Sequence, residues 1–357
     1  MVPFIIMLTV PIIISPFTDR LRINKVSLEK FSLFLFFAIM TFLVMFRNRG
    51  IGNDTNNYMY FFEQAARTTG LHLDQKSALE LGFQLLIKAI AVFSRDPHVF
   101  IAVCGLLVSA MLYPTYRRLC VDTPLTLVLF CTMSTFLMLF SGIRQMLALG
   151  IGMIAYEFTR RKWIVPFLIA VVAAVFIHTS AFILILMYPL YHLRVTKKWL
   201  FAVVPVLVLV FVFNRQIFGF LGRFIEEYTN YDASTVATGA YTMLILFILF
   251  TVFSFLIPDD SMMDEETFAL RNFLLISLAI QMFTPLNFLV MRMSYYYIIF
   301  IPLLLPRIIQ CSRIKYRKIA LVGRYVMLAF FYVYFFISIS GGSKMHIVPY
   351  RFFWESM

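Results

Sequence analysis

Charge is what this 357-residue chain has least of: 14% of its residues are Asp, Glu, Lys or Arg, against roughly a quarter in an ordinary soluble domain. So few cannot cover a surface that faces water, which excludes a soluble globular protein. Acidic residues are the scarcer sign, 18 against 31 Lys and Arg. No carboxylate-rich metal site is evident, so metal-independent chemistry without a cofactor is expected. Four cysteines are too few for a disulfide framework. Cys104 and Cys131 fall inside apolar runs, Cys120 and Cys311 beside basic clusters, and none has metal-ligand spacing, so they read as packing residues. Walker loop, GxSxG, HExxH and Cys/His clusters are all missing, and with them any soluble-type active site. The apolar N-terminus lacks a basic leader and a small-residue cleavage site, so residues 1–17 read as an uncleaved span and not a signal peptide.

What is abundant is apolar. Hydrophobic residues make up 61% of the chain, with 41 Phe, 18 Tyr and 20 Met, in runs that recur from residue 1 to residue 339 and leave no separate globular domain. The reading is one all-α, polytopic integral membrane domain over residues 1–357, with about twelve transmembrane helices and an active-site cavity at the outer face. Candidate spans are 1–17, 31–46, 98–116, 123–140, 143–158, 163–177, 179–193, 199–213, 238–257, 272–291, 294–306 and 319–339. Several fall short of the ~20 residues a helix needs for the hydrocarbon core, so their ends extend into polar neighbours or the bilayer thins.

The net charge of +13 sits in short Lys/Arg clusters between apolar runs, the habit of topogenic charges and not of a nucleic-acid surface. Retention of basic residues inside puts Arg20/Arg22/Lys25/Lys30, Arg117/Arg118, Arg160/Arg161/Lys162, Arg194/Lys197/Lys198 and Arg307/Arg313/Lys315/Arg317/Lys318 in the cytoplasm, with the acidic stretch 259–266 beside them. Residues 79–94 are apolar enough to span, but counting them would turn the clusters at 117–118 and 160–162 outside; they read as an outer-face or re-entrant helix. The outer side then holds a first large periplasmic loop, 47–97, the turns at 141–144, His178 and Arg292, a second periplasmic loop, 214–237, and the tail 340–357. Within 214–237, Ile217, Phe218, Leu221, Phe224, Ile225 and Tyr228 at helical spacing predict an amphipathic helix on the outer leaflet.

The first loop runs Arg47-Asn-Arg-Gly-Ile-Gly-Asn-Asp54-Thr-Asn-Asn-Tyr58. Its glycines permit turns that let Arg49, Asp54 and Tyr58 converge; a polar cap on a helix bundle is the blander alternative. Glu80 opens Glu-Leu-Gly-Phe83, either as ordinary helix-start chemistry or as a substrate contact. Arg144, followed by Gln145, stands in the first turn of an apolar helix. Free backbone N–H groups and the helix dipole already favour an anion there, so a cation needs an anionic partner. Arg292, before Tyr295, repeats the arrangement, and two such starts make a clamp for phosphate or pyrophosphate, with snorkelling arginines as the alternative. His178, alone between apolar stretches, is either a hydrogen-bonded helix breaker or a proton-transfer or substrate-contact residue.

Taken in order, Arg49-Gly-Ile-Gly-x-Asp54-x-x-x-Tyr58, Glu80-x-Gly82-Phe83, Ile143-Arg144-Gln145, His178-Thr179-Ser180, Arg292-x-x-Tyr295 and Val348-Pro349-Tyr350 resemble the EpsG-like polysaccharide polymerases, a group that includes many Wzy O-antigen polymerases. The departure is Thr55, where that family often has an aromatic residue. The resemblance implies a C-type-like membrane glycosyltransferase of the bacterial inner membrane. It would join undecaprenyl-pyrophosphate-linked oligosaccharide repeat units at the periplasmic face, with membrane lipid, a chain-length regulator and a flippase as partners. On that reading Arg144 and Arg292 stabilise the leaving pyrophosphate, and the acceptor proton is received or oriented by Asp54 first and His178 second. Arg49, Tyr58, Glu80, Gln145 and Tyr295 contact substrate. A lipid-linked sugar flippase or other transporter is the rival and predicts internal repeats and broken helices. A membrane acyltransferase ranks third; it would need a His with a partner carboxylate and an acyl donor reached from inside, whereas His178 is placed outside.

Overall fold

The computed structural model describes residues 1–18, 22–23, 26–27, 30–68, 79–222, 240–287, 290–340 and 345–355. These are helical apart from turns and a two-residue antiparallel pairing of β1 (Arg22–Ile23) with β2 (Val26–Ser27). Long apolar runs become helices because lipid offers the backbone no hydrogen-bond partner and a helix satisfies it internally.

The chain divides into two compact units, Met1–Phe182 with Tyr325–Met357, and Ile183–Arg324. The first holds α1 (Val2–Thr18), α2 (Phe31–Met45), α3 (Thr55–Arg67), α4 (Leu81–Phe93), α5 (Pro97–Leu119), α6 (Thr123–Thr132), α7 (Ser134–Met138), α8 (Ile143–Arg160) and α9 (Ile164–Ile177). The 3-10 helix Thr179–Leu186 leads into the second, with α10 (Met187–His192), α11 (Leu200–Val212), α12 (Asn214–Gly222), α13 (Ala240–Leu256), α14 (Glu265–Gln281), α15 (Met291–Ile298) and α16 (Ile301–Gln310). The last helix, α17 (Arg317–Ser340), belongs to the first unit from Tyr325 onward. Carboxylates start several helices: Asp96 accepts from the His98 N–H at 2.8 Å, with Pro97 following, and Asp264 from that of Thr267 at 2.8 Å.

In the first unit α8 packs against α5 and α9, and α2 lies on α1 and α5. The seam is aromatic. Tyr116 and Phe130 meet edge to face at 5.3 Å, with Phe36 and Phe37 each 5.9 Å from Phe130. The chain's end returns to the loop after α2: the Asn48 N–H donates to Arg351 O at 3.0 Å, that of Phe353 to Phe46 O at 2.9 Å, and the Tyr350 hydroxyl to Leu43 O at 2.6 Å. Basic residues gather elsewhere. Arg118 pairs with Glu157 at 2.8 Å, Arg160 joins it at 3.1 Å, and the Lys30 ammonium donates to Arg117 O at 2.6 Å. That cluster marks the C-terminal end of α8, where Glu157 and Arg160 stand about 20–24 Å along the axis from Arg144 in the helix's first turn.

In the second unit α14 is surrounded by α10, α13, α15 and α16. Arg271, fully buried on it, donates to Ser254 O, Asp260 and Val195 O and lies 4.1 Å over the Phe255 ring. The acidic stretch collects its basic neighbours: the Lys197 N–H bonds Asp260 at 3.1 Å and Arg307 pairs with Asp264 at 3.0 Å. Arg313 donates to Pro258 O at 3.0 Å.

Large apolar faces stay exposed, including Phe201, Val206 and Val212 on α11, of which no residue is buried, and Val322, Val326 and Phe330 on α17. Such surface is stable against lipid tails and not against water, so this is a membrane protein. Among the described residues, two helices, Pro97–Leu119 and Ile314–Ser340, are long and apolar enough to cross, and two bent pairs reach that length together. These pairs are Lys197–Val212 with Asn214–Phe220, bent by 74°, and Met291–Ile298 with Ile301–Gln310, bent by 43°. Most other expected spans are apolar helices of 10–17 residues. Expected span 123–140 is two helices broken at Met133, and 179–193 begins as a 3-10 helix. Residues 79–94 contain the expected helix, α4 over Leu81–Phe93, and the amphipathic helix is α12 as far as Gly222; Phe224, Ile225 and Tyr228 lie outside the described residues.

Candidate active site

Three loops of the first unit converge on the N-terminal end of α8. The first follows α2. Arg47 is fully buried, donating to Val44 O at 2.6 Å and to the Thr55 hydroxyl at 3.3 Å, which in turn donates to Phe140 O at 3.0 Å. Gly52 sits at φ +84°, and a Cβ there would stand 1.8 Å from the Phe140 carbonyl oxygen, so only glycine allows the Gly-Ile-Gly turn to press on the segment preceding α8. Asp54, the residue before α3, does not cap that helix with its side chain; it accepts the Ser141 hydroxyl at 3.2 Å. Arg49 points away, to Asn56 at 2.9 Å and Glu63 at 3.6 Å. The loop therefore brings Asp54 and Tyr58 to α8 but not Arg49.

Arg144, in the first turn of α8, meets the second loop. Its guanidinium donates to Glu80 at 2.5 Å and to the Tyr58 hydroxyl at 3.3 Å, with the Tyr58 ring 5.9 Å below. The cation that the dipole argument left in need of an anion has one in Glu80. Tyr58 is buried, its ring 5.6 Å from that of Phe83, so it holds Arg144 and is not an open stacking face for a sugar. Gln145 is buried beside it.

The third loop ends α9. His178 closes the helix and presents Nδ1 to the other Glu80 oxygen at 2.8 Å, where the Thr179 N–H and hydroxyl also donate, each at 3.1 Å. Gly82 makes the approach feasible: a Cβ there would stand 2.6 Å from Phe176 O, so α4 starts directly on the backbone that ends α9. Burial alone would raise the Glu80 carboxyl. The His178 hydrogen bond and the charges of Arg144 and His178 outweigh it and hold the group at about 2. The sequence alone assigns Glu80 to helix-start or substrate chemistry; the structure makes it the centre of the cluster, bridging residues 64 and 98 positions away. It also enlists Ser141, Thr55 and Thr179, which no motif singled out as polar partners. The available signal was the scarcity of carboxylates able to answer Arg144.

Arg292 and Tyr295 lie in the second unit, on α15: Arg292 is half-buried in its first turn and Tyr295 is buried.

Family comparison matches the model of the EpsG family over residues 30–352, a span that begins before α2 and ends in the returning tail. The chain belongs to the EpsG family. No curated protein and no solved structure matches it. EpsG-family proteins are glycosyltransferase-like polysaccharide polymerases, and the apolar helices fit such an enzyme in a membrane. In this EpsG-family chain the matched segment contains the whole Asp54–Ser141, Tyr58–Arg144–Glu80–His178 arrangement.

Proposed function

We propose that this EpsG-family protein polymerises oligosaccharide repeat units carried on undecaprenyl pyrophosphate, at the outer face of the bacterial inner membrane. The growing chain is the donor. An acceptor hydroxyl oxygen of the incoming unit bonds to its anomeric carbon while the bond from that carbon to the pyrophosphate oxygen breaks, the electron pair leaving with the lipid pyrophosphate. Negative charge grows on the leaving group, and fixed positive charge is what lowers such a barrier most. Arg144 supplies it. The acceptor proton passes to Asp54 or to His178.

The observation carrying this reading is Arg144 itself, oriented by Glu80 and Tyr58 at the end of α8 opposite the Arg118–Glu157–Arg160 cluster. The separation of about 20–24 Å along the helix is most of the ~30 Å thickness of a hydrocarbon core, which supports cytoplasmic anchoring charges at one end and chemistry at the other.

The test is chain elongation by purified protein in detergent, supplied with lipid-linked repeat units from the source bacterium. Wild type should elongate. Arg144→Lys and Arg292→Lys keep the charge but lose the two-pronged donor, and each should lower the rate by roughly 10-fold or more at unchanged protein level. Full activity in both would remove forked pyrophosphate recognition. A second reading, transport of a lipid-linked sugar, is favoured by the two bent helix pairs. A transporter makes no glycosidic bond, so a folded wild type that fails to elongate would move the protein to that class.

A further inference from the structure

We infer that Glu80 is a positioning residue for the transfer step, fixing His178 with its proton on Nδ1 so that Nε2 is the base that receives the acceptor hydroxyl's proton. This rests on the polymerase reading and decides its choice between Asp54 and His178.

The geometry carries it from both sides of the carboxylate. One Glu80 oxygen takes three donors, His178 Nδ1 at 2.8 Å and the Thr179 N–H and hydroxyl at 3.1 Å each, while the other takes Arg144. A carboxylate engaged by so many donors is a poor proton acceptor and a good orienter. An imidazole that donates through Nδ1 exposes its lone pair on Nε2, the division of labour in which a carboxylate selects the tautomer and steadies the imidazolium that forms. Among the described residues, no hydrogen bond engages His178 Nε2. Gly82 sets the spacing, because its missing side chain lets the start of α4 lie against Phe176 O, two residues before His178. Asp54 is arranged differently. Its carboxylate accepts from Ser141, and its backbone N–H donates to the same hydroxyl at 3.3 Å, a local lock between the first loop and the segment before α8.

In the step, the acceptor oxygen bonds to the anomeric carbon as its proton moves to Nε2. The C–O electron pair departs on the pyrophosphate oxygen beside Arg144. The imidazolium, held through Nδ1–H by Glu80, then returns its proton to water. Among the described residues, the charged group that meets His178 is Glu80 at the start of α4, which carries Arg144 on α8 on its other oxygen and through it Tyr58 on α3; α9 carries none, and Lys88 on α4 turns instead to Ala65 O on α3 and to Thr68 just after it.

The experiment is a double-mutant cycle on elongation by purified protein in detergent, with the same lipid-linked units, kcat and KM followed from about pH 5 to 8, the range in which histidine titrates. Glu80→Gln and His178→Gln should each lower kcat by roughly 10²-fold, the usual worth of a positioned base, with little change in KM. Because the two act as one device, the double variant should be no more than about threefold worse than either single. Wild-type kcat should fall on the acid side as Nε2 protonates. In His178→Gln the acid limb should vanish. Glu80→Asp, which keeps the charge but not the reach, should recover part of the lost kcat and guards against a folding artefact. Multiplying losses in the double variant, or an acid limb that survives in His178→Gln and disappears in Asp54→Asn, would overturn the inference while leaving the polymerase standing. No elongation by folded wild type would overturn both.

Discussion

Glu80 ties its ionisation to the fold, and the sign of that dependence is determined. Its carboxyl is brought from the ordinary 4.5 to about 2, because the His178 hydrogen bond and the charges of Arg144 and His178 outweigh a burial that would raise it. A carboxyl depressed in the folded state contributes stability that is complete above its unfolded value and is lost as pH falls through its folded one. Melting temperature of the detergent-solubilised protein should therefore decline from pH 4.5 toward pH 2, and more steeply in wild type than in Glu80→Gln. Parallel declines would mean that the contacts of Glu80 are not ionic. Arg47 presents the opposite problem, a cation drawn into the interior. Burial lowers it to about 10, which still leaves it charged at neutral pH, and among the described residues its hydrogen bonds go to a backbone carbonyl and a hydroxyl rather than to an acid. The sequence displays both residues but not their partners. Glu80 and His178 stand 98 positions apart, and only the folding of α4 onto α9 makes a carboxylate and an imidazole neighbours.

Among elements, the contact of α4 with the end of α9 has the least slack. Gly82→Ala would place a Cβ 2.6 Å from the Phe176 carbonyl oxygen and 2.9 Å from its carbon, both backbone atoms that cannot rotate away. Overpacking of this kind costs typically about 1–3 kcal/mol. The strain should also part Glu80 from His178, so Gly82→Ala should lower the melting temperature and the elongation rate together; an active, equally stable variant would show that α4 tolerates a shift. Helix existence was legible from apolar runs: α2, α5, α8, α9, α11, α13 and α17 follow expected spans within a few residues. Helix breaks were not. Met133, which separates α6 from α7, stands among Thr132, Ser134 and Thr135, hydroxyl residues that a hydropathy average runs through as one span. The 3-10 start at Thr179 and the 43° bend between α15 and α16 are likewise tertiary outcomes that a hydropathy pattern does not encode. In the site, the helix-dipole argument correctly demanded an anion for Arg144, yet periodicity could not say that a carboxylate of this chain supplies it. The place of Arg49 beside Gly-Ile-Gly suggests convergence with Asp54 and Tyr58, whereas its partners Asn56 and Glu63 on α3 show how little spacing constrains a long side chain.

For the whole molecule, the placement of charge predicts which ends face the cytoplasm. In the first unit Lys30, Arg117, Arg118, Glu157 and Arg160 share one end, while Asp54, Glu80, Arg144 and His178 share the start of α8. In the second unit Lys197, Arg307 and Arg313 gather on the acidic stretch, as clusters retained on a single side would. The tail adds an independent constraint, because the Gly52 N–H donates to Met345 O at 2.9 Å and the Asn48 N–H to Arg351 O at 3.0 Å. Chain segments that exchange backbone hydrogen bonds cannot lie on opposite faces of a bilayer, so the first loop and the tail must report the same side wherever that is. Reporter fusions after Lys76, within residues 214–237 and after Ser343 should signal the periplasm, and fusions after Lys162 and Lys315 the cytoplasm. The tail's hydrogen bonds reach residues 43–52, so opposite signals from Lys76 and Ser343 would put a crossing between residues 52 and 76 and overturn the single first loop. A cytoplasmic signal from both would leave the site intact but turn it inward, where a periplasmic polymerisation step has no access to it.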